Sequence, residues 1–437
     1  MTKKLAPDWP LVTQVPPFIR RGKIHTIHEQ VYISKGPQVK IGDLVIVGEN
    51  QVLCEVIAIE KENNHLLPFG QTDKVSYGDA VFLTSSASLI PNDHDLLGAV
   101  LNAKGEVINR PKTANQNGGQ RVSIDSPPIS AFDRLEITDI LETGIKAIDG
   151  MLSIGIGQKI GIFAGSGVGK STLLGMIARN AKVDINVIGL VGERGREVKD
   201  FLRKDLGEEG LKRSVIVAAT SDESHLMQLR AARLATSIAE HYRDQGANVL
   251  LMMDSVTRFA DARRSVDIAV KELPIGGKTL LMESYMKKLL ERSGRTEKGS
   301  ITGIYTVLVD GDDMNGAVPD LARGILDGHI VLSRDLATLN HYPAIDVLGS
   351  VSRVMEEIVT SEHQQAAGKV REYLSTYKEN ELYFKLGTIE ATEQNQYIFK
   401  SRDKTLQINP FLKQDRSEAV PFSETVAALS EISEVKS

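Results

Sequence analysis

Apolar positions follow three rhythms along this chain. From residue 18 to about 88 they come in short runs, at 22–27, 30–33, 44–47, 52–59 and 79–83. Turn residues separate them: Lys35-Gly36-Pro37, Ile41-Gly42-Asp43, Glu62-Asn63-Asn64 and Tyr77-Gly78-Asp79. Short strands so closely spaced predict a small β-barrel or sandwich. From 138 to about 349 strand-like and helix-like runs alternate. The strands fall at 160–163, 185–191, 214–219, 249–253, 301–309 and 329–332, with helices at 196–206 and 226–244. That alternation implies right-handed crossovers and a mostly parallel sheet, with ligands at the C-terminal strand ends. Those ends carry a Gly-rich turn, Glu193, Asp254 and Asp310. Beyond 351 strand patterning fades, and 354–359, 363–377 and 422–432 read as helices, while 385–400 shows no dominant period. The expected fold is α/β: a barrel at 18–88, an α/β domain at 89–350 and a mainly helical domain at 351–437. A Pro-rich tail, 1–17, precedes them. Residues 96–109 read as a hairpin and 110–120 as an exposed connection.

The stretch KIGIFAGSGVGKST, residues 159–172, carries the clearest chemistry. An apolar strand runs into small residues and then into a helix start. Gly165, Ser166, Gly167, Val168 and Gly169 leave room for backbone N–H groups to surround a phosphate. The helix N-terminus adds partial positive charge. Lys170 can reach the β- and γ-phosphates, the Ser171 hydroxyl can bind Mg²⁺, and Thr172 follows in the first turn. The strict pattern opens with Gly where this chain has Ala164, and the alternative is a chance Gly-rich turn. Asp254 ends the apolar run VLLMM, as a carboxylate holding Mg²⁺ through water would. Buried strands ending in Asp are also common. Glu193, in LVGERGREV, can polarise an attacking water or pair with Arg194 or Arg196. Arg353, in GSVSR, can stabilise a phosphoryl transition state from a second subunit or make a surface ion pair.

Composition narrows the field. A formal net charge of −5 argues against a generally nucleic-acid-coating surface. One cysteine, Cys54, lies in an apolar run and reads as a small buried hydrophobe, and a single cysteine allows no disulfide within the chain. No run approaches 18 apolar residues and the first residues lack a signal-peptide core, so a cytoplasmic protein is expected. Trp9 reads as part of a frayed tail or as a docking anchor.

AGSGVGKSTL, VGERGREV, MMDSVTRFA, TVLVDGDDMN, RGILDGHIVLSR and HYPAID…SVSR occur in that order. Together they resemble the ATPase of the bacterial flagellar and type III protein-export apparatus, a relative of the catalytic subunit of rotary ATP synthases. The resemblance is dense over 97–355, weaker over the barrel and faint beyond about 356. It implies a β-barrel, a P-loop (RecA-like) nucleotide domain and a helical C-terminal domain, assembled as a homohexamer that hydrolyses ATP with Mg²⁺ at its interfaces. It places the phosphate-loop lysine at Lys170, the Mg²⁺ hydroxyl at Ser171, the water-activating glutamate at Glu193 and the second-motif aspartate at Asp254. It places the adenine-stacking tyrosine at Tyr342 and the arginine finger at Arg353, with Arg194 ordering Glu193 or touching phosphate. The implied partners are further copies of the chain, a stator-like regulatory protein, the export gate at the membrane, and export chaperones and substrates. No nucleic acid is implied. The implied location is the inner face of the cell membrane, peripherally. Flagellar export is the leading reading, with virulence-type secretion the alternative; a rotary synthase subunit, an RNA translocase and a non-hydrolysing scaffold stand behind them. Two places depart from the family: the tail before the barrel is short, and 271–288, which faces the pore in the family, is richer in Lys, Leu and Met.

Overall fold

The computed structural model describes residues 21–28, 31–70, 74–84, 96–109, 124, 126–309, 311, 313–390 and 392–435. Trp9 and the tail, the connection at 110–120 and Asp310 lie outside these residues. The chain forms two compact units, residues 1–86 and 87–437.

In the first unit six antiparallel strands close into a barrel: β1 (Arg21–Ile27), β2 (Tyr32–Lys35), β3 (Leu44–Val47), β4 (Val52–Glu60), β5 (Asn63–Pro68) and β6 (Ala80–Leu83). Their order is β1-β2-β5-β4-β3-β6, and β6 pairs back onto β1. Alternate residues point inward, as a two-residue period requires, so Ile24, Tyr32, Val45, Val47, Cys54, Val56, Leu66 and Val81 fill the interior. Strand β5 was not expected. Its first residues, Asn63-Asn64, read as a turn, but the reversal comes one residue earlier, and Asn64 turns its amide inward to Pro37 O at 2.9 Å. Burial pushes the Cys54 thiol up to about 12, as a small buried hydrophobe would have it.

The second unit is built on a ten-stranded sheet. It contains β7 (Val100–Asn102), β8 (Val107–Asn109), β11 (Lys159–Ala164), β12 (Ile185–Glu193), β13 (Ser214–Thr220), β14 (Asn248–Asp254), β15 (Gly294–Arg295), β16 (Ser300–Leu308), β17 (Gly328–Leu332) and β18 (Ile345–Ser352). A two-residue pair, β9 (Ile140–Leu141) with β10 (Ile154–Gly155), stands apart. The sheet runs β18-β17-β11-β16-β14-β12-β13-β7-β8, with β15 on the side of β16. From β17 to β7 every pairing is parallel, and β18 and β8 close the edges antiparallel. The central strands are apolar throughout rather than alternating, because helices cover both faces.

Those helices are α1 (Lys146–Met151), α2 (Lys170–Asn180), α3 (Gly195–Asp200), α4 (Gly207–Lys212), α5 (His225–Asp244), α6 (Val256–Ala269), α7 (Leu280–Leu290), α8 (Ala317–Ile325), α9 (Arg334–Thr338) and α10 (Met355–Ile358). Ser224, Ser255 and Thr279 cap α5, α6 and α7 by accepting from the backbone N–H three residues on. The helix expected at 196–206 is instead α3, a π-helical turn at Phe201–Leu206, and α4. The C-terminal helices are α11 (Ser361–Leu386), α12 (Gln396–Leu412) and α13 (Phe422–Ser433). Val370, Tyr373, Ile408, Phe411 and Leu429 from these helices join the same hydrophobic core as Leu174 and Ile177 of α2. In the uncertain stretch 385–400, α11 stops at Gly387 (φ 65°) and α12 starts at Gln396.

Candidate active site

The site begins where β11 ends. All six residues of β11 are buried, and Gly165 follows them inside. Ser166 and Gly167 turn out to solvent, Val168 turns back into the core, and Gly169 starts α2. Gly169 has φ 94°, a conformation only glycine adopts without strain. Lys170, Ser171 and Thr172 then form the first turn of α2, where unpaired N–H groups point out of the helix end.

Glu193 arrives by a backbone device. The pairing of β12 with β13 shifts register between Val191 and Glu193, a bulge at Gly192, whose φ is 71°. A bulge re-aims the side chain that follows it. A β-carbon on Gly192 would also stand 2.8 Å from Cβ of Arg258, so the strand can pass this close to α6 only with glycine here. Asp254 ends β14, and Thr306 of β16 donates to its Oδ1 at 2.6 Å.

These elements bring three charges together. Lys170 Nζ donates to Asp254 Oδ1 at 2.6 Å and to Glu193 Oε1 at 3.2 Å. The three side chains are 13%, 5% and 14% exposed for Lys170, Asp254 and Glu193, so water screens them little. Burial alone would lower the Lys170 ammonium, but Asp254 and Glu193 outweigh it and hold its pKa above the ordinary value. Burial and the neighbouring Asp254 carboxylate raise Glu193 to about 7, against the pull of Lys170. A carboxyl balanced near neutrality can exchange a proton with water at working pH.

A cleft of about 540 Å³ opens over this cluster. The loop and first turn of α2 form one side; Gly192, Glu193, Arg194, Glu197, Ser221, Arg258, Leu308 and Val309 form the rest. Arg194 is largely exposed, 3.5 Å from Glu197. Arg258 was not singled out from sequence, although it lies in MMDSVTRFA. It lies in the first turn of the helix capped by Ser255, just after the strand that ends in Asp254, and its place in that motif is the signal that could have found it.

Two expected residues lie elsewhere. Tyr342 is 43% exposed and its ring flanks the loop: a β-carbon on Gly169 would stand 3.5 Å from its Cε1. Its carbonyl accepts from Gln414 N at 2.9 Å. Arg353 is not in the cleft. Gly161 pairs with His329, and Gly328 with Ser352, so Arg353 stands level with the start of β11. The loop leaves the other end, after Ala164, five residues further at ~3.3 Å each, roughly 16 Å along the strand. One chain therefore supplies Lys170, Glu193 and Asp254 together and displays Arg353 at the opposite end of its sheet.

The sequence matches the ATP synthase alpha/beta family, nucleotide-binding domain, over residues 144–352, and the T3SS EscN ATPase C-terminal domain over 359–431. It is 44% identical to the flagellum-specific ATP synthase of Bacillus subtilis (strain 168), covering 95% of each chain. It is 39% identical to the type 3 secretion system ATPase of Pseudomonas savastanoi pv. phaseolicola, covering 93% of this chain and 92% of that one. The chain belongs to the family of flagellum-specific and type III secretion ATPases. Among solved members of these export ATPases is the assembled ATPase EscN of enteropathogenic E. coli, with a TM-score of 0.89 at 42% identity over 94% of this chain and 100% of that one. EscN has also been solved in complex with its central stalk EscO, with a TM-score of 0.86 at 41% identity over 94% of this chain and 100% of that one. The export-ATPase likeness extends further than the motifs suggested: it is not faint beyond 356, because the C-terminal helices carry their own match at 359–431. Among the described residues no helix is long and apolar enough to cross a membrane.

Proposed function

We propose that this export ATPase hydrolyses MgATP at the interfaces of a homohexameric ring, each site combining the cleft of one copy with Arg353 of the next. The observation that carries this reading is the split arrangement: Lys170 bonded to Glu193 and Asp254 on one side, Arg353 roughly 16 Å away along the sheet on the other. Binding of the triphosphate transfers Lys170 from its carboxylates to the β- and γ-oxygens, while the N–H groups of Gly165–Thr172 surround the phosphates. That frees Glu193 to accept a proton from the attacking water. Arg353 of the adjacent copy meets the charge that develops on the equatorial oxygens. Arg194 holds Glu193 or touches phosphate from the rim. The Tyr342 ring, beside the loop, supplies the face on which adenine stacks.

The donor set here suits Mg²⁺: the Ser171 hydroxyl lines the cleft and the Asp254 carboxylate, buried beside Lys170, would act through water, both being hard oxygen ligands. When bound, the ion supplies charge neutralisation between the β- and γ-phosphates.

The domain reading goes with this: barrel at 18–88, nucleotide domain at 89–350, helical domain at 351–437. Export of flagellar proteins leads and virulence-type secretion is the alternative, the flagellar relative being 44% identical and the secretion-system ATPases 39% and 42%. The proposed location is the cytoplasmic face of the membrane, at the export gate. A stator-like regulatory protein, export chaperones and their substrates are the proposed partners there, and nucleic acid is not.

Steady-state hydrolysis by the purified chain tests the reading. Turnover requires Mg²⁺, collapses in Lys170→Ala and Glu193→Gln, and falls by orders of magnitude in Arg353→Ala. Undiminished turnover in Lys170→Ala would refute it.

A further inference from the structure

Arg353 is already engaged within its own chain, where it caps the end of α8. Its Nη1 donates to Leu326 O at 3.2 Å and its Nη2 to Arg323 O at 3.4 Å. Its backbone N–H donates to Asp327 O at 3.0 Å. The last carbonyls of a helix lack intrahelical donors and carry partial negative charge, so a guanidinium seats well on them. The seat of Arg353 therefore moves wherever α8 moves.

The first turn of α8 is tied to a different place. Asp320 Oδ2 lies 3.2 Å from Lys278 Nζ, and its Oδ1 3.5 Å from Arg323 Nη2. A β-carbon on Gly277 would stand 3.3 Å from the Ala317 methyl. Gly277 and Lys278 belong to a tight reversal, bridged between Ile275 and Lys278, in the loop between α6 and α7. Thr279 fastens the C-terminal side of that loop to Asp267 of α6, and α6 starts beside Asp254. The loop and the first residue of α7 present Leu273, Ile275 and Leu280 to solvent, each at least 80% exposed. Helix α8 thus has an apolar handle at one end and Arg353 at the other.

We propose that α8 is the positioning element for the arginine given to the neighbouring site, and that the Lys278–Asp320 latch couples its placement to the conformation of the loop at 270–279. This rests on the reading of Arg353 as acting in the adjacent copy. An exposed ion pair is weak, which suits a latch that a modest contact on the loop must open. Lys278 and Asp320 are positioning residues and are not among those lining the cleft.

The test uses the full chain, at concentrations where hydrolysis per subunit no longer rises with protein. Asp320→Ala and Lys278→Ala should each lower kcat about threefold with KM unchanged, because the residues of the cleft are untouched. The double variant should lose no more than either one, and the swap Lys278→Asp with Asp320→Lys should restore kcat. Mixing decides between neighbouring and own-site action. Excess Lys170→Ala subunits are dead in their own cleft but offer a normally seated Arg353, so they should return the rate of each Asp320→Ala cleft to the parent value. Failure of that rescue, unchanged kcat in both single variants, or additive loss in the double variant overturns the proposal. Arg353→Ala in the same mixing separates the two failures. If it is rescued and Asp320→Ala is not, the latch is wrong and the split site stands. If Arg353→Ala is not rescued, the split site is wrong and the latch falls with it.

Discussion

Glu193 offers the most direct test of the chemistry. It is raised to about 7 by burial and by Asp254, with Lys170 opposing them. To accept a proton from water it must be ionised. In the free enzyme one carboxyl in two is ionised at pH 7 and about one in ten at pH 6, so kcat/KM for MgATP should fall about fivefold from pH 7 to pH 6, approach about tenfold per unit below that, and level off above about pH 8. The limb in kcat should lie lower. Once nucleotide and Mg²⁺ are bound, added positive charge near Glu193 favours its ionised form. The assay is steady-state phosphate release from pH 5.5 to 8.5 at saturating Mg²⁺, with Glu193→Gln measured in parallel. The variant should lose about 10²- to 10⁴-fold in kcat, as removal of a general base does, and its residual rate should lack the limb. A flat kcat/KM in the parent would refute the assignment. A limb of equal size in Glu193→Gln would also refute it, since the titrating group would then be the substrate or another residue.

Three further outcomes are expected. Arg258→Ala, which removes a cation from the wall of the cleft, should lower kcat about a hundredfold in the same assay while leaving the melting temperature unchanged, since the side chain is exposed. Cys54, wholly buried and raised to about 12, should resist a thiol reagent at pH 8 in the native protein and react fully in urea, as absorbance of the released chromophore would show. Gln414→Ala should destabilise by about 2–3 kcal/mol in denaturant unfolding, because it strips Lys146 N, Gly144 O and Glu418 O of a partner at 2.9, 2.7 and 3.0 Å.

What the sequence made legible follows the strength of local constraint. The loop at 165–169 was readable because phosphate approach demands small residues, a lysine and a hydroxyl in fixed order. The parallel sheet was readable because its central strands are buried on both faces and so apolar throughout. The aim of Glu193 was not, since it depends on a register shift between β12 and β13 that no single strand records. Arg258 escaped for a related reason: an exposed arginine on a helix is ordinary until the neighbouring strand is seen to end in Glu193. The π-helical turn after α3 was read as plain helix because its residues favour helix. There the turn packs so tightly on α2 that a β-carbon on Gly175 would stand 2.6 Å from Asp205 O, and the Asp205 carboxylate meets Thr172 Oγ1 at 3.3 Å. Helix α12 was hidden by Pro410 and by a mixed polar and aromatic face, and packing against α11, α13 and α1 defines it.

The electrostatics of the cleft bear on why the site is divided between copies. Lys170 faces two carboxylates, so the three groups together carry a net negative charge when both are ionised. A triphosphate brings more negative charge to the same place. Lys170 can leave its carboxylates for the phosphates only if those carboxylates gain another partner, or if one of them takes up a proton. The raised pKa of Glu193 shows how near the cluster already stands to the second solution. Mg²⁺ beside Asp254 and an arginine from the next copy would supply the first. Because Arg353 sits at the far end of its own sheet, it would reach a cleft only as a neighbour's, unlike Arg258, which lines the cleft of its own chain. On the proposed split site, nucleotide binding and subunit contact would reinforce each other, since each brings the charge the other requires. Nucleotide affinity should accordingly rise with protein concentration in the parent and become independent of it in Arg353→Ala, and equal affinities at dilute and concentrated protein would show that the site is complete within one chain.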